Sequence, residues 1–370
     1  MRLAWFRPAT LVSERFDDSA ALAGALAAEH EVELFDEARA HDFIPRDFRE
    51  PFDLCVFELA DTRPHAFVWP YLLHTPGVLR LRSLSLHDSR CETLRRQRRD
   101  RHCTAELDFG GWDLIAAPIL RSRLTVVADD YAARRLQGRF PTARIRVAPL
   151  GLSGPGPLPD QVGNGRLERN AGRAPIVGAL EGSDRVIQRA VTRARDAGAP
   201  LELITGSPDI VLARADIIIA TAWPPVDEPT RAMAAMAAGR AVIILETEAT
   251  AGWPVLDPQT WQPRGWSDEP PIAIALDPRD EEHSLVIALR RLATDAPLRE
   301  TLGASAALWS QRNATLDQAV HVWRSILEEA AVLPPPPRPD NWPSHLTADG
   351  TERAREMLAE FGCTVDFLGR

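Results

Sequence analysis

Residues 215–245 read ADIIIATAWPPVDEPTRAMAAMAAGRAVIIL. The run IIIA and the run AVIIL are short, β-branched and apolar, as strands buried on both faces of a parallel sheet should be. Between them lies a loop with two prolines and an acidic pair, Asp227 and Glu228, followed by a small-residue helix. Strand, loop, helix, strand is one turn of a parallel α/β fold. A loop that leaves a parallel strand and feeds a helix N-terminus is where open α/β sheets bind phosphate-bearing ligands.

Outward from this unit the pattern repeats. Toward the N-terminus, RLAWF (Arg2 to Phe6), EVELF (Glu31 to Phe35), DLCVFEL (Asp53 to Leu59), TVVA (Thr125 to Ala128) and IRVAPL (Ile145 to Leu150) are strand candidates. Helical patterns lie between them, among them SAALAGALAAEH from Ser19 and YAARRLQGRF. Strands alternating with helices imply a parallel, doubly wound sheet. The stretch from Gly151 to Pro175 is rich in Gly and Pro and has no apolar period, so it reads as a linker. A second alternating set follows it: APIVGAL, a helix from Asp184 to Ala197, LELITG, the 215–245 unit, IAIAL (Ile272 to Leu276), and helices after His283 and over Leu298 to Arg312. Pro334 to Pro337 break the pattern again, and a short amphipathic helix over Thr351 to Phe361 ends it. The expected organisation is a Rossmann-like domain over 1–150, a linker over 151–175, a second Rossmann-like domain over 176–333, and a proline-rich segment with a tail helix over 334–370. Two such halves place a cleft between them, a favoured ligand site.

Composition narrows the partners. The 370 residues include 43 basic and 52 acidic side chains, a net charge of −9, which argues against general nucleic-acid binding. No lysine occurs anywhere, so every cationic site must be built from guanidinium, which grips phosphate bidentately and cannot form a Schiff base. The four cysteines show no metal or disulfide spacing and read as reduced thiols. No stretch approaches 18 consecutive apolar residues, and the N-terminus runs straight into a strand pattern. A cytoplasmic location is the expectation. The run RRQRRDRH (Arg95 to His102) is the densest positive cluster. It reads first as a solvated surface helix, and alternatively as a peripheral contact, through Arg95 to Arg101, with an anionic membrane face or a phosphate-bearing lipid. No P-loop, G-x-G-x-x-G, G-x-S-x-G or H-E-x-x-H pattern is present.

Several segments resemble the large family of retaining GT-B glycosyltransferases found in bacteria. From Phe52, FDLCVFELADTRPHAFVWPYLLHTPGVLRLRSLSLHDSR is similar to the family's "strand, G-N-S-x-x-H-A-F, helix, H-P-G, strand, H-D-x-x-L-H-H". His65 keeps the first histidine, Asp61 stands for the Asn, Arg82 and Ser83 replace the His-Asp pair, and His87 is retained. In TVVADDYAARRL, Ala128 stands where the family has His. PLG, ending at Gly151, matches the turn into the interdomain linker. WPPVDE, from Trp223, resembles "W-P-T-x-G-E", with Glu228 on the family glutamate. Eight residues further on stands Met236 instead of the second acid of the Glu-x7-Glu motif, which leaves Asp227 as an alternative acidic position. IVGALEGSDRVIQRAV resembles the segment whose Arg and Lys hold the donor diphosphate, but Ala179 and Glu181 occupy those places. Between Gly206 and Ala215 the chain is shorter than the family pattern by about one βα unit.

The resemblance implies a transferase that moves a sugar from a nucleotide-diphosphate donor to a glycan, lipid or small-molecule acceptor. It implies catalytic roles for His65 and Glu228, and donor binding by Arg7, Arg185, Gly206, Asp227 and Glu228. Acceptor binding falls to Asp61, Arg82 and His87, with neither metal nor cofactor. Each residue has a plainer reading. Asp227 and Glu228 suit a helix N-cap and first turn. Arg7 and Arg185 suit solvated surface charge, and His65 suits a packed, hydrogen-bonded core histidine. His87 and Asp88, read as neighbours on one strand, would point to opposite faces. Glu181 at a diphosphate seat is unfavourable by about 4 kcal/mol per like-charge contact at ~4 Å. The altered positions therefore also fit a GT-B-like binding or scaffold protein, and they predict weakened donor binding.

Overall fold

The computed structural model describes residues 1–9, 17–99, 102–152, 173–223, 229–247, 250–264, 269–347 and 352–362. The first half contains β1 (Arg2–Phe6), α1 (Asp18–Leu26), β2 (Glu31–Phe35), α2 (Phe43–Arg49), β3 (Leu54–Leu59), α3 (Val68–His74) and β4 (Val78–Leu81). It continues with α4 (His87–Arg96), α5 (Cys103–Gly110), α6 (Ala116–Arg121), β5 (Leu124–Val127), α7 (Asp130–Arg139) and β6 (Ile145–Val147). The six strands lie in the order β2-β1-β3-β4-β5-β6, all parallel.

The second half contains β7 (Ile176–Glu181), α8 (Asp184–Asp196), β8 (Glu202–Ile204), α9 (Pro208–Arg214), β9 (Ile217–Ala220), α10 (Thr230–Ala237) and β10 (Ala241–Leu245). Then come β11 (Val255–Leu256), β12 (Pro263–Arg264), β13 (Ala273–Leu276), α11 (Glu281–Thr294), α12 (Ala296–Asn313), α13 (Leu316–Val332) and α14 (Glu352–Glu360). The second sheet runs β12-β11-β13-β10-β9-β7-β8, parallel except for the β11–β12 pair. Two doubly wound α/β domains result, as the alternating apolar runs predict.

Local chemistry sets the element ends. Asp17, Asp129 and Asp295 accept backbone N–H groups at the starts of α1, α7 and α12. Thr315 and Gln318 form a reciprocal capping box at α13. Strands β9, β10 and β13 are buried along their whole length, which is why they read as unbroken apolar runs. At two close approaches only glycine fits. A β-carbon on Gly77 would sit 2.2 Å from the Cys55 carbonyl oxygen, and one on Gly303 would sit 2.4 Å from that of Gly239.

Helix α13, which the strand–helix pattern did not single out, returns to the first sheet. It buries Ala319, Trp323, Ile326 and Leu327 in one cluster with Leu3, Trp5, Leu22 and Leu26. The Trp323 and Trp5 rings lie 5.3 Å apart. The segment after the proline run also docks on the first domain: Trp342 meets Phe109 edge-on at 5.4 Å, Leu346 joins the core, and His345 Nε2 lies 2.7 Å from Glu106 Oε1.

Two expectations change in detail. His87 and Asp88 open α4 and are not on a strand. The arginine run is not one helix: α4 stops at Arg96 and Arg98 takes a left-handed φ of 55°. Between Gly206 and Ala215 the chain keeps one helix, α9, which carries it across β7 from the edge strand β8 to β9.

Trp323→Ala should cost about 3–5 kcal/mol of stability in urea unfolding, because the side chain is fully buried against Trp5. Phe48→Ala, at an 89% exposed position, should stay within about 0.5 kcal/mol.

Candidate functional site

Both sheets carry the same topological feature. In the order β2-β1-β3 the connections from β1 and to β3 diverge, and the same happens at β8-β7-β9. Ligands of open α/β sheets bind at such switch points, outside the carboxyl ends of the strands. The two carboxyl edges face each other. Ala128, just past β5, packs against the core of the second domain, and a β-carbon on Gly252, after β10, would lie 4.0 Å from Tyr131 Cβ in the first turn of α7.

At the first switch point stands a buried ionic network. Glu58, inside β3, accepts from Trp5 Nε1 at 2.6 Å and from Ser19 Oγ at 2.7 Å. Arg80, inside β4, donates to Ser19 Oγ at 2.9 Å and pairs with Asp18. Arg82, just past β4, donates to Asp18 at 3.2 Å and to Glu58 at 3.3 Å. Arg7, just past β1, pairs with Asp17, whose other oxygen caps α1. Three guanidinium groups thus face three carboxylates. Burial raises the Asp18 pKa, but Arg80 and Arg82 together outweigh it, and the carboxyl is held below its ordinary range.

His65 follows β3 and sits against this network. Its Nδ1 lies 2.8 Å from Thr62 Oγ1, while Nε2 is buried with no hydrogen bond among the described residues. Burial, reinforced by Arg82 and Arg7, lowers its pKa to about 3. The ring is therefore neutral throughout the physiological range and can accept or donate one hydrogen bond there, without supplying a proton from an imidazolium.

The other first-domain candidates have structural partners. Asp61 caps α4 from a distance, taking the Ser89 N–H and the Ser85 hydroxyl, both at 3.1 Å. His87 stacks on Trp112 at 4.8 Å, its Nε2 3.5 Å from Cys91 Sγ. Arg95 and Arg96 are both held by Glu92, and Arg96 also by Glu37.

At the second switch point, Glu181 ends β7 and Gly182 turns the chain at φ 128° into α8. Thr221, just past β9, donates its backbone N–H to the Glu181 carbonyl at 3.2 Å; its Oγ1 is buried beneath Gly182 with no hydrogen bond among the described residues. Arg231, in the first turn of α10, donates to the Leu180 carbonyl at 2.7 Å and places Nε 3.5 Å from Glu181 Oε1. Burial pushes the Glu181 pKa up, against the opposing pull of Arg231. A pocket of about 20 Å³ opens here, lined by Glu181, Ala222, Pro229, Thr247 and Thr250 among others. A larger groove of about 320 Å³ lies elsewhere, beside the C-terminal ends of α8 and α11, with Trp261, Arg290 and Arg291 on its walls.

Of the donor-site candidates, Arg185 is exposed on the first turn of α8 and makes no ion pair among the described residues. Gly206 is exposed just past β8. Asp227 and Glu228 lie outside the described residues. Met236 is wholly buried in the core, where a carboxylate would be unpaired. Sequence reasoning missed Arg231, Glu58, Asp18 and Arg80. The visible signal for two of them was a charge inside an apolar strand run, Glu in LCVFEL and Arg in VLRL. Among the described residues no group of three or more His, Cys, Asp or Glu could hold a metal ion, and no helix is long and apolar enough to cross a membrane.

No family model matches the sequence, and no curated protein is similar to it in sequence. Solved structures do share its fold. Sucrose-phosphate synthase from Thermosynechococcus elongatus superposes with a TM-score of 0.57 at 12% identity, covering 89% of this chain and 98% of that one. The Anabaena protein HepE in complex with UDP-glucose gives 0.55 at 11%, covering 89% and 99%. The catalytic domain of starch synthase IV from Arabidopsis thaliana, bound to ADP and acarbose, gives 0.56 at 11%, covering 89% and 99%. These are GT-B glycosyltransferases, and at such identities the likeness establishes the two-domain GT-B fold.

The low His65 pKa sets a sign for stability against pH. The unfolded chain takes up a proton near pH 6.5 that the folded chain refuses until about pH 3. Stability is full above the unfolded value and falls as pH drops through this window, with a limiting slope of about 1.4 kcal/mol per pH unit from this group. His65→Gln should flatten that slope in urea unfolding between pH 6.5 and 4. An unchanged slope would place the ring in contact with water.

Proposed function

We propose that the protein is a glycosyltransferase that moves a sugar from a nucleoside diphosphate sugar to a glycan, lipid or small-molecule acceptor, with retention of configuration. The observation that carries this reading is Arg231 at the β7/β9 switch point. A guanidinium stands there in the first turn of a helix, at the carboxyl edge that faces the other domain. Backbone N–H groups at a helix start and a fixed cation are what a departing diphosphate needs in place of a metal ion.

The roles follow from position. The donor diphosphate lies over the loop from β7 to α8 and the start of α10, near Arg231 and within reach of Arg185 and Gly206. Asp227 and Glu228 precede α10 in the chain and take hydroxyls of the ribose or the transferred sugar. His65, neutral and with Nε2 available, orients a sugar hydroxyl from the opposite wall. Arg7, Arg82 and Asp61 shape that wall while held by Asp17, by Asp18 with Glu58, and by Ser85 with Ser89. HepE, a relative in fold, binds UDP-glucose, which makes uridine donors the first to try. The chemistry proposed involves no cofactor. A binding or scaffold protein without turnover is the competing reading; Glu181 beside Arg231 weakens donor binding under either, because a carboxylate repels the ligand that the cation attracts.

Calorimetric titration with UDP, ADP, GDP and their glucose conjugates tests the reading. Binding of at least one is expected, in the range of about 10 μM to 1 mM, weakened by the missing cations at Ala179 and Glu181. Arg231→Ala should reduce that affinity by roughly 10- to 150-fold. Glu228→Ala should abolish sugar transfer with the melting temperature unchanged. Binding without transfer to any acceptor would favour the binding protein, and no binding by any of the six would remove both readings.

A further inference from the structure

We propose that Trp112 is a stacking platform for a sugar ring of the acceptor, which narrows the acceptor to a saccharide. The inference rests on the transferase reading above and names the class of its second substrate.

A rigid mount holds the ring out in solvent. Trp112 is 74% exposed, the most exposed tryptophan among the described residues. It stands in the turn between α5 and α6, where Gly111 and Leu114 take left-handed φ values of 74° and 56°. Such a backbone strains a leucine, and strain of this kind persists only where the surroundings enforce it. Here they do. Leu114 is buried, the Asp113 carbonyl accepts the Leu86 N–H at 2.8 Å, and the Asp113 carboxylate pairs with Arg139 from the end of α7. The Gly111 N–H closes α5 on the Leu107 carbonyl, also at 2.8 Å. One face of the indole lies on the His87 ring, 4.8 Å away and within 17° of parallel. With one face covered and most of the side chain exposed, the other face is open.

The platform lies on the wall that carries His65. Strand β4 ends at Leu81 and a short loop leads to His87 at the start of α4, so His87 and Trp112 stand at the carboxyl edge of the first sheet. Helix α4 runs beside the His65 segment: the Thr93 hydroxyl donates to the Ala66 carbonyl at 2.8 Å, and Asp61 accepts from Ser85 and Ser89. Trp112 is thus one helix away from His65, on the wall opposite the proposed diphosphate seat. A pyranose offers a flat patch of C–H groups ringed by hydroxyls. The electron-rich indole face attracts the C–H patch, and charged side chains around it take the hydroxyls. Both elements are present. Asp88 is exposed next to His87, and the Asp113–Arg139 pair flanks the turn with 21% and 39% of the two side chains accessible. A hydrocarbon chain gains little from a single ring bordered by charges, because it would strip water from them without pairing them.

The test follows the indole N–H signal of Trp112 by NMR in the full chain, assigned by its loss in Trp112→Phe. Maltose, cellobiose, lactose and mannobiose are titrated in turn. Dodecylphosphocholine below its micelle concentration serves as the hydrocarbon probe, and UDP as the donor control. At least one disaccharide should shift the signal in a saturable way. Trp112→Ala should weaken that binding roughly fivefold or more, while Trp112→Phe, which keeps a ring, retains most of it. The melting temperature of Trp112→Ala and its affinity for UDP should match the parent. A disaccharide that binds parent and Trp112→Ala equally would overturn the platform. So would a signal that moves with no disaccharide, or with the hydrocarbon probe alone. UDP decides the donor reading separately: if it binds, that reading stands whatever the sugars do, and if it does not, the transferase falls even where a sugar stacks on Trp112.

Discussion

Placing Glu58 and Arg80 in the middle of adjacent strands is tolerable only because each charge finds its counter-charge inside the same fold. A buried ion with no partner costs several kcal/mol, and removing one member of a buried pair typically costs about 3–5 kcal/mol. Here the partners come from the start of α1, where Asp18 and Ser19 meet the ends of β3 and β4. The network therefore fixes where α1 sits on the sheet and how β1, β3 and β4 are aligned at their carboxyl ends. Trp5 extends it within the same layer: its indole nitrogen holds Glu58 while its ring packs against Trp323 of α13, which lies beside α1. One cluster thus joins the polar edge of the first domain to the helix that returns from the second.

The same compensation shapes the chemistry available. In a chain without lysine every cation is a guanidinium, and at both switch points the guanidinium groups already have carboxylate partners. At the first switch point the partners are deeply buried and the arrangement is closed. At the second the pair is partly exposed. That difference in burial, more than the identity of the residues, distinguishes the two sites. The first is suited to present a rigid wall, with neutral His65 as its one unsatisfied polar atom among the described residues of that network.

The GT-B likeness and these local departures fit together without conflict. A fold shared at 11–12% identity preserves strand order and the approach of the two carboxyl edges, while side chains at the edges are free to change. Met236 illustrates the point. Its position faces the core in this chain, in one cluster with Ala235 and Met233, so an acid there would be buried among apolar side chains.

What the sequence determined by itself is the layering. Runs such as IIIA, AVIIL and RLAWF are local signals whose period and β-branching do not depend on distant partners, and they marked both parallel sheets and most of the intervening helices. The His65 segment and the Glu-bearing loop before α10 stand out in the sequence by short motifs; the loop itself lies outside the described residues. Tertiary structure decided the partners. Asp18 and Arg80 are 62 residues apart, and no local pattern links them. Asp61, which reads as a ligand-binding residue, also takes the Ser89 N–H in the first turn of α4, 28 residues away. Helix α13 follows the second domain in sequence, yet its apolar face packs on the first sheet beside α1. Arg231 and Glu181 meet because β7 and β9 are neighbours at a switch point. Charge pairing and helix docking are long-range choices, settled only when the chain has closed on itself.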